Sequence, residues 1–136
     1  MPDSGNTLSD LLEQSRAALE ALRRLPLNFP PTDVHRDAAI QRFRAAFEIV
    51  WHTGQRFLNE RESLDMADPK GVLLAAKSIG LIRPADLEQA LEMLVDRNLS
   101  GHTYDAENAE EIFAHLPRHA DLIDRWLSGM ESRNAS

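Results

Sequence analysis

One long amphipathic stripe runs between residues 33 and 61, and it restricts the possible folds more than any other feature of the sequence. At ~100° per residue its members lie within about 80° of one another, as they would on one face of a helix. They are Ile40, Phe43, Phe47, Val50, Trp51, Gly54 and Leu58. The pattern predicts a single helix from roughly Asp33 to Arg61, about 40 Å long at ~1.5 Å per residue.

Two further helices are indicated by their cap residues. Leucines between Leu8 and Leu25 recur at helical spacing, and Thr7 precedes Asp10 in the pattern of a capping box. The segment "LPLNFPP" then ends this first helix and keeps the chain extended, because a residue before proline avoids helical angles. Asp68, which a proline follows, suits the N-cap of a short third helix that ends at Gly80.

The remaining apolar positions predict two more helices, and five helices without a strand indicate an all-α fold. A fourth helix is predicted from about Pro84 to Ser100, and a fifth begins at Asp105 with a kink at Pro117. No alternating apolar and polar run is long enough for a strand. We therefore expect an all-α fold: an up-and-down four-helix bundle with one short additional helix, forming a single domain over residues 1–136.

The bundle topology predicts which polar residues meet. The start of helix two and the loop between helices four and five would lie at the same end, so Arg36 and Asp37 should lie near Arg97 and His102. Arg36 projects onto the apolar sector of helix two, and a buried arginine needs a partner. Asp37 lies about 100° away around the helix, so a partner from another segment is the better candidate.

Composition narrows the classes of function. The chain has 136 residues, no cysteine and a net charge of −7. The absence of cysteine excludes disulfides, thiolate catalysis and cysteine-bound zinc, and the acidity disfavours sequence-independent binding of nucleic acid. Neither a signal peptide nor a membrane span is visible, so we expect a soluble, cytoplasmic protein without a metal or other cofactor.

The stretch "VDRNLSGHTYDAE", residues 95–107, concentrates polar residues at the end of the fourth helix. Asn98 occupies a slot in that helix's apolar stripe, and Arg97 lies about 80° to one side. One interpretation is structural: both side chains satisfy the last carbonyls, Gly101 makes a left-handed turn, and His102 and Tyr104 are loop side chains.

The other interpretation is chemical. A histidine can transfer protons near neutral pH, and an arginine offers a planar, charged fork to a phosphate. His102 and Arg97 could therefore cleave RNA without a metal, the histidine acting as acid or base and the arginine stabilising charge on phosphorus. A symmetric dimer would supply a second copy of both residues.

Three blocks of the sequence resemble one branch of the HEPN (higher eukaryotes and prokaryotes nucleotide-binding) domain family, the nucleotidyltransferase substrate-binding proteins. "RNLSGHTY" is similar to the family's R-x4-H-x-Y motif, "RDAAIQRFRAAFEIVW" to its second helix and "AAKSIGLI" to its third. Arg44 and Leu87 stand where many relatives have an acidic residue and a tryptophan.

The resemblance implies a homodimeric helical bundle that acts as a metal-independent endoribonuclease toxin. A minimal nucleotidyltransferase would be its antitoxin and RNA its substrate. Arg97 and His102 would be the catalytic pair, Asn98 the polar neighbour, and Tyr104 the hydroxyl that the partner adenylylates. The alternative is a non-catalytic subunit that binds a nucleotide or acceptor substrate for a two-component nucleotidyltransferase.

Other candidates receive simpler interpretations. His115 and His119 are four apart and could share a face as metal ligands do, but Pro117 separates them and no third ligand appears at matching spacing. We expect a solvated flank there. Trp51 and Trp126 fit apolar stripes and are expected in the core.

Overall fold

The locations of the caps in the sequence largely determine where the helices begin and end. The computed structural model describes residues 6–29, 32–102 and 105–135. Its helices, in chain order, are α1 (Leu8–Arg23), α2 (Asp33–Glu62), α3 (Pro69–Ser78), α4 (Leu87–Leu99) and α5 (Ala106–Ala135), with a 3-10 turn (Pro84–Asp86) before α4. No strand occurs in these described segments, so the predicted all-α class is confirmed.

Side-chain caps account for several of the helix starts. At α1 the hydroxyl of Thr7 accepts from the backbone N–H of Asp10, and the Asp10 carboxylate accepts from the Thr7 N–H, which completes the predicted capping box. Asp68 caps α3 by accepting from the N–H of Gly71 at 2.7 Å. Gly80, just beyond α3, has φ of +81°, a left-handed angle that glycine adopts without strain.

Helix α2 is the centre of the structure, because it contacts all four other helices. Its stripe forms the core: Ile40, Phe43 and Phe47 are fully buried, and Trp126 of α5 is buried with them. This arrangement is consistent with the predicted up-and-down bundle, with α3 as the short additional helix. No helix in the described part of the chain is long and apolar enough to cross a membrane.

Gly54 sets how closely α2 and α5 approach. A Cβ on this residue would lie 2.8 Å from Cζ2 of Trp126 and 3.1 Å from Cγ1 of Val72. The absence of a side chain therefore lets the indole ring pack directly on the α2 backbone.

Ion pairs tie α1 to α5 on the surface. Arg16 donates to Asp124 (2.6 Å) and to Glu131 (2.5 Å), and Arg23 donates to Asp124 (2.7 Å). The hydrogen bond from Arg16 is the main cause that lowers the pKa of Asp124 to about 2, against the opposing effect of its partial burial.

Candidate functional site

The last turn of α4 and the loop after it carry three of the residues that the sequence singled out: Arg97, Asn98 and His102. The helix ends here because the Ser100 hydroxyl donates to the carbonyl oxygen of Arg97 (2.6 Å) and the His102 N–H donates to that of Leu99 (3.0 Å). Ser100 is fully buried, whereas His102 is exposed. The short turn thus fixes the backbone while leaving the histidine side chain accessible.

Side chains from α2 and α5 also donate to carbonyls at this helix end. Nε2 of Gln41 donates to the carbonyl oxygen of Ser100 (3.4 Å), and Nδ2 of Asn108 donates to that of Leu99 (3.3 Å). Gly101 does not have a positive φ. The predicted left-handed turn at Gly101 is therefore wrong, because a 3-10-like turn and side chains from α2 and α5 complete the helix end instead.

Arg97 is held by a carboxylate on α2. Its Nε and Nη2 both approach Oε1 of Glu48, and its Nη1 donates to Oδ1 of Asn98 at 3.0 Å. Oε2 of Glu48 accepts from the indole of Trp51 at 3.3 Å and lies 3.9 Å from Nε2 of His52. The side chain of Arg97 is 26% exposed, so its guanidinium is oriented by Glu48 and still reaches solvent.

A second guanidinium, that of Arg44 on α2, approaches the loop at Gly101. Nη1 of Arg44 is 3.9 Å from the position that a Cβ would take on Gly101. The side chain of Arg44 is exposed, and within the described segments it forms neither an ion pair nor a hydrogen bond. Arg44 and Arg97 therefore bring two guanidinium groups to the end of α4 in a chain whose net charge is −7. Such a pair of arginines can bind a phosphate.

Arg36 pairs with carboxylates of its own helix. Arg36 is only 6% exposed and pairs with Asp37 (3.2 Å) and Asp33 (3.4 Å) on its own helix. The expectation that Asp37 is too far around the helix to be its partner is wrong, because the long arginine side chain folds back along α2. The part of α2 that contacts the end of α4 lies one or more turns further on, at Gln41 and Glu48.

The cavity beside Arg36 has a volume of about 500 Å³. Its other lining residues are Leu27, Asn28, Phe29, Glu110, Phe113 and Ala114. These side chains are mostly apolar and give the cavity no set of converging polar groups comparable to that at the end of α4. Tyr104, the expected modification site, lies outside the described residues.

Sequence reasoning missed Glu48, although one signal pointed to it. Glu48 is the only acidic residue between Asp37 and Glu60, on a helix otherwise rich in basic and apolar side chains. It borders the buried stripe with its side chain only 35% exposed, so its carboxylate lies within reach of a packed neighbour. The partner could not be identified without knowing how α4 crosses α2.

A second set of titratable side chains lies between α4 and α5. His115 Nδ1 and His119 Nε2 each lie 2.7 Å from the same oxygen, Oδ2 of Asp96. His119 is 0% exposed and Asp96 is 4% exposed. The expected solvated flank is therefore wrong, because α4 covers this face of α5 and supplies the carboxylate that the α5 sequence alone lacks.

The chain is similar to known proteins over most of its helical segments. A family model described as "Nucleotidyltransferase substrate binding protein like" matches residues 8–132. A crystal structure of a protein from Thermus thermophilus is similar with a TM-score of 0.82 and 41% sequence identity, over 85% of this chain and 98% of that chain. No curated protein sequence matches significantly.

Proposed function

Because the chain belongs to the family of nucleotidyltransferase substrate binding protein like proteins, we propose that it is the non-catalytic, substrate-binding subunit of a two-component nucleotidyltransferase. The family match over residues 8–132 is the observation that carries this proposal. The active site for nucleotide transfer would belong to a separate partner chain, a minimal nucleotidyltransferase. We expect both chains in the cytoplasm and this chain as a homodimer.

The end of α4 is the part of the chain best suited to bind a phosphorylated substrate. Arg97 presents an oriented guanidinium, and Arg44 adds an exposed charge 3.9 Å from the Cβ position of Gly101. Charge-assisted hydrogen bonds from a guanidinium to a phosphate are shorter and stronger than neutral ones. We place the phosphates of a nucleotide, or of a nucleic-acid acceptor, between these two side chains.

Equilibrium binding of a fluorescent ATP analogue to the isolated chain tests this site. Replacing Arg97 by alanine removes a charge-assisted contact, and we expect the dissociation constant to rise at least about tenfold. Lys70→Ala is the matched control, because it removes one exposed positive charge from α3. Equal binding by wild type and Arg97→Ala, or an equal loss in Lys70→Ala, would show that the phosphates bind elsewhere.

A second candidate function is a metal-independent endoribonuclease toxin of the HEPN type. The observation in its favour is that His102 is exposed and directly follows Gly101, whose Cβ position lies 3.9 Å from Nη1 of Arg44. His102 would take the proton of a ribose 2′-hydroxyl, which attacks phosphorus and leaves a cyclic phosphate, while Arg97 stabilises the added charge. The His102 of a second protomer would protonate the leaving 5′-oxygen.

RNA incubated with the chain in EDTA separates the two functions. The substrate-binding proposal predicts intact RNA, whereas the nuclease predicts cleavage with cyclic-phosphate ends that His102→Ala abolishes. In the nuclease alternative the partner would act as the antitoxin by adenylylating Tyr104. Intact mass must therefore first show whether Tyr104 carries a nucleotide, because a modified chain would leave RNA intact whether or not the unmodified chain is a nuclease.

A further inference from the structure

Four side chains with metal-binding atoms converge between α4 and α5. Glu92 and Asp96 are four residues apart on α4, and His115 and His119 are four residues apart on α5. This spacing places each pair on one face of its helix. One ligand atom from each of the four residues lies within 4.8 Å of all the others.

The convergence is centred on the carboxylate of Asp96. Both histidines approach its Oδ2 at 2.7 Å, and Nδ1 of His115 also lies 3.8 Å from Oε1 of Glu92. The ring of His119 is fully buried and stacks on Phe43 with centroids 5.2 Å apart. Packing therefore fixes the direction of Nε2 of His119 towards Asp96, as a preorganised ligand requires.

We propose that Glu92, Asp96, His115 and His119 form a binding site for a divalent first-row transition ion, with zinc as the representative member. Two imidazole nitrogens and one or two carboxylate oxygens form a common ligand set for zinc and its neighbours in the first transition row. The site is distinct from the arginines at the end of α4 and does not depend on the proposed nucleotide.

The distances between the ligand atoms fit an ion of this size after small side-chain movements. Ligands at ~2.0–2.2 Å from a tetrahedral ion lie about 3.4 Å from one another. The hydrogen-bonded distances of 2.7 Å are shorter than this and the longest of the set is 4.8 Å. An ion would replace the two hydrogens that the ring nitrogens share with Oδ2 of Asp96, which separates the short pairs.

The four residues differ in exposure, so the proposed ion site is open to solvent on one side and closed on the other. The side chains of His115 and Glu92 are partly exposed, at 20% and 37%, whereas His119 and Asp96 form the buried side. A groove of about 360 Å³ between α4 and α5 is lined by Glu92, Asp96 and His115 and leads in from solvent. An ion can therefore enter past Glu92 without unfolding either helix.

Binding would cross-link the two helices next to the candidate nucleotide site. Asp96 immediately precedes Arg97 on α4, so an ion on Asp96 would immobilise the helix turn that carries the guanidinium. The role assigned to the ion is structural: it fixes α4 against α5. No step of nucleotide chemistry passes through it.

Isothermal titration of EDTA-treated chain with zinc chloride tests the proposal. We expect one ion per chain and, in two buffers of different ionisation enthalpy, release of protons on binding. His115→Ala should weaken binding at least about tenfold, since even outer-shell changes cost ~10–100-fold in affinity. Glu92→Gln should also weaken it. Circular dichroism checks that both variants, whose substituted side chains are partly exposed, remain folded.

His35→Ala is the matched control, because it removes an exposed histidine at the start of α2. We expect it to bind zinc as the wild type does, and we expect zinc to raise Tm equally in both proteins and by less in His115→Ala. The proposal is overturned if the wild type binds no zinc. It is also overturned if His115→Ala retains wild-type affinity, or if His35→Ala loses as much as His115→Ala does.

Discussion

Substituting Gly54 by alanine tests the packing of α2 on α5. Glycine in a helix interior is ordinarily less stable than alanine by ~1 kcal/mol, so at an open position the change would stabilise the protein. Here the new methyl carbon would lie 2.8 Å from Cζ2 of Trp126 and 3.1 Å from Cγ1 of Val72. Both neighbours are fully buried. The added atom therefore enters occupied space.

The expected size of the effect follows from that overlap. Carbon atoms in contact are ~3.5–4.0 Å apart, so the separation of 2.8 Å requires the indole ring to move by about 0.7 Å or more. Overpacking a core in this way costs ~1–3 kcal/mol, and the gain in helix propensity offsets ~1 kcal/mol of it. We predict that Gly54→Ala lowers the free energy of unfolding by up to about 2 kcal/mol.

Gly129 on α5 provides the matched control. A Cβ there would lie 3.1 Å from Cδ2 of Leu81, a methyl group at the end of a flexible side chain that can turn aside. We expect Gly129→Ala to change the free energy of unfolding by no more than about 0.5 kcal/mol, because the propensity gain and the adjustment nearly cancel. Urea denaturation at constant m-value compares the two variants. If Gly54→Ala is as stable as Gly129→Ala, Trp126 does not pack on Gly54 as described.

Two further predictions concern charged side chains. Because Arg16 lowers the pKa of Asp124 to about 2 from the ordinary value of 3.8, this carboxylate stabilises the fold above about pH 4 and loses its contribution as pH falls through 2. Denaturation of wild type and Asp124→Asn should differ at pH 7 and converge towards pH 2; a difference that grows as the pH falls would contradict the sign. Glu48→Gln removes a negative charge beside Arg97. Repulsion between such a charge and a phosphate is worth ~1 kcal/mol at 4 Å in water, so we expect this variant to bind the ATP analogue a few-fold more tightly. Unchanged or weaker binding would show that Glu48 does not compete with phosphate for the guanidinium.

The helices could be predicted from the sequence because their signals are local. The capping box of Thr7 and Asp10 and the N-cap at Asp105, which accepts from the N–H groups of Glu107 and Asn108, lie within a few residues of the groups they satisfy. The buried stripe of α2 is equally local, since a helical period fixes which side chains share a face.

The site could be predicted only in part, because its remaining contacts join distant segments. Arg97 and His102 were identified by their chemistry and motif spacing, whereas Glu48 pairs with Arg97 across 49 residues. Such a pair depends on how α4 packs across α2, and a single sequence does not show which residues of the two helices meet. The same limit led to the incorrect expectation for His119, whose partner Asp96 lies on another helix.

We have proposed that this chain binds substrate for a separate nucleotidyltransferase. The most direct measurement is size-exclusion chromatography with light scattering of the chain mixed with a minimal nucleotidyltransferase encoded in the same genome. The mixture is then assayed for nucleotide transfer, and the isolated, unmodified chain for RNA cleavage in EDTA. We predict a complex containing both chains, transfer activity that Arg97→Ala weakens, and intact RNA. Separate elution of the two chains, together with RNA cleavage that His102→Ala abolishes, would contradict the substrate-binding role and make this chain the enzyme.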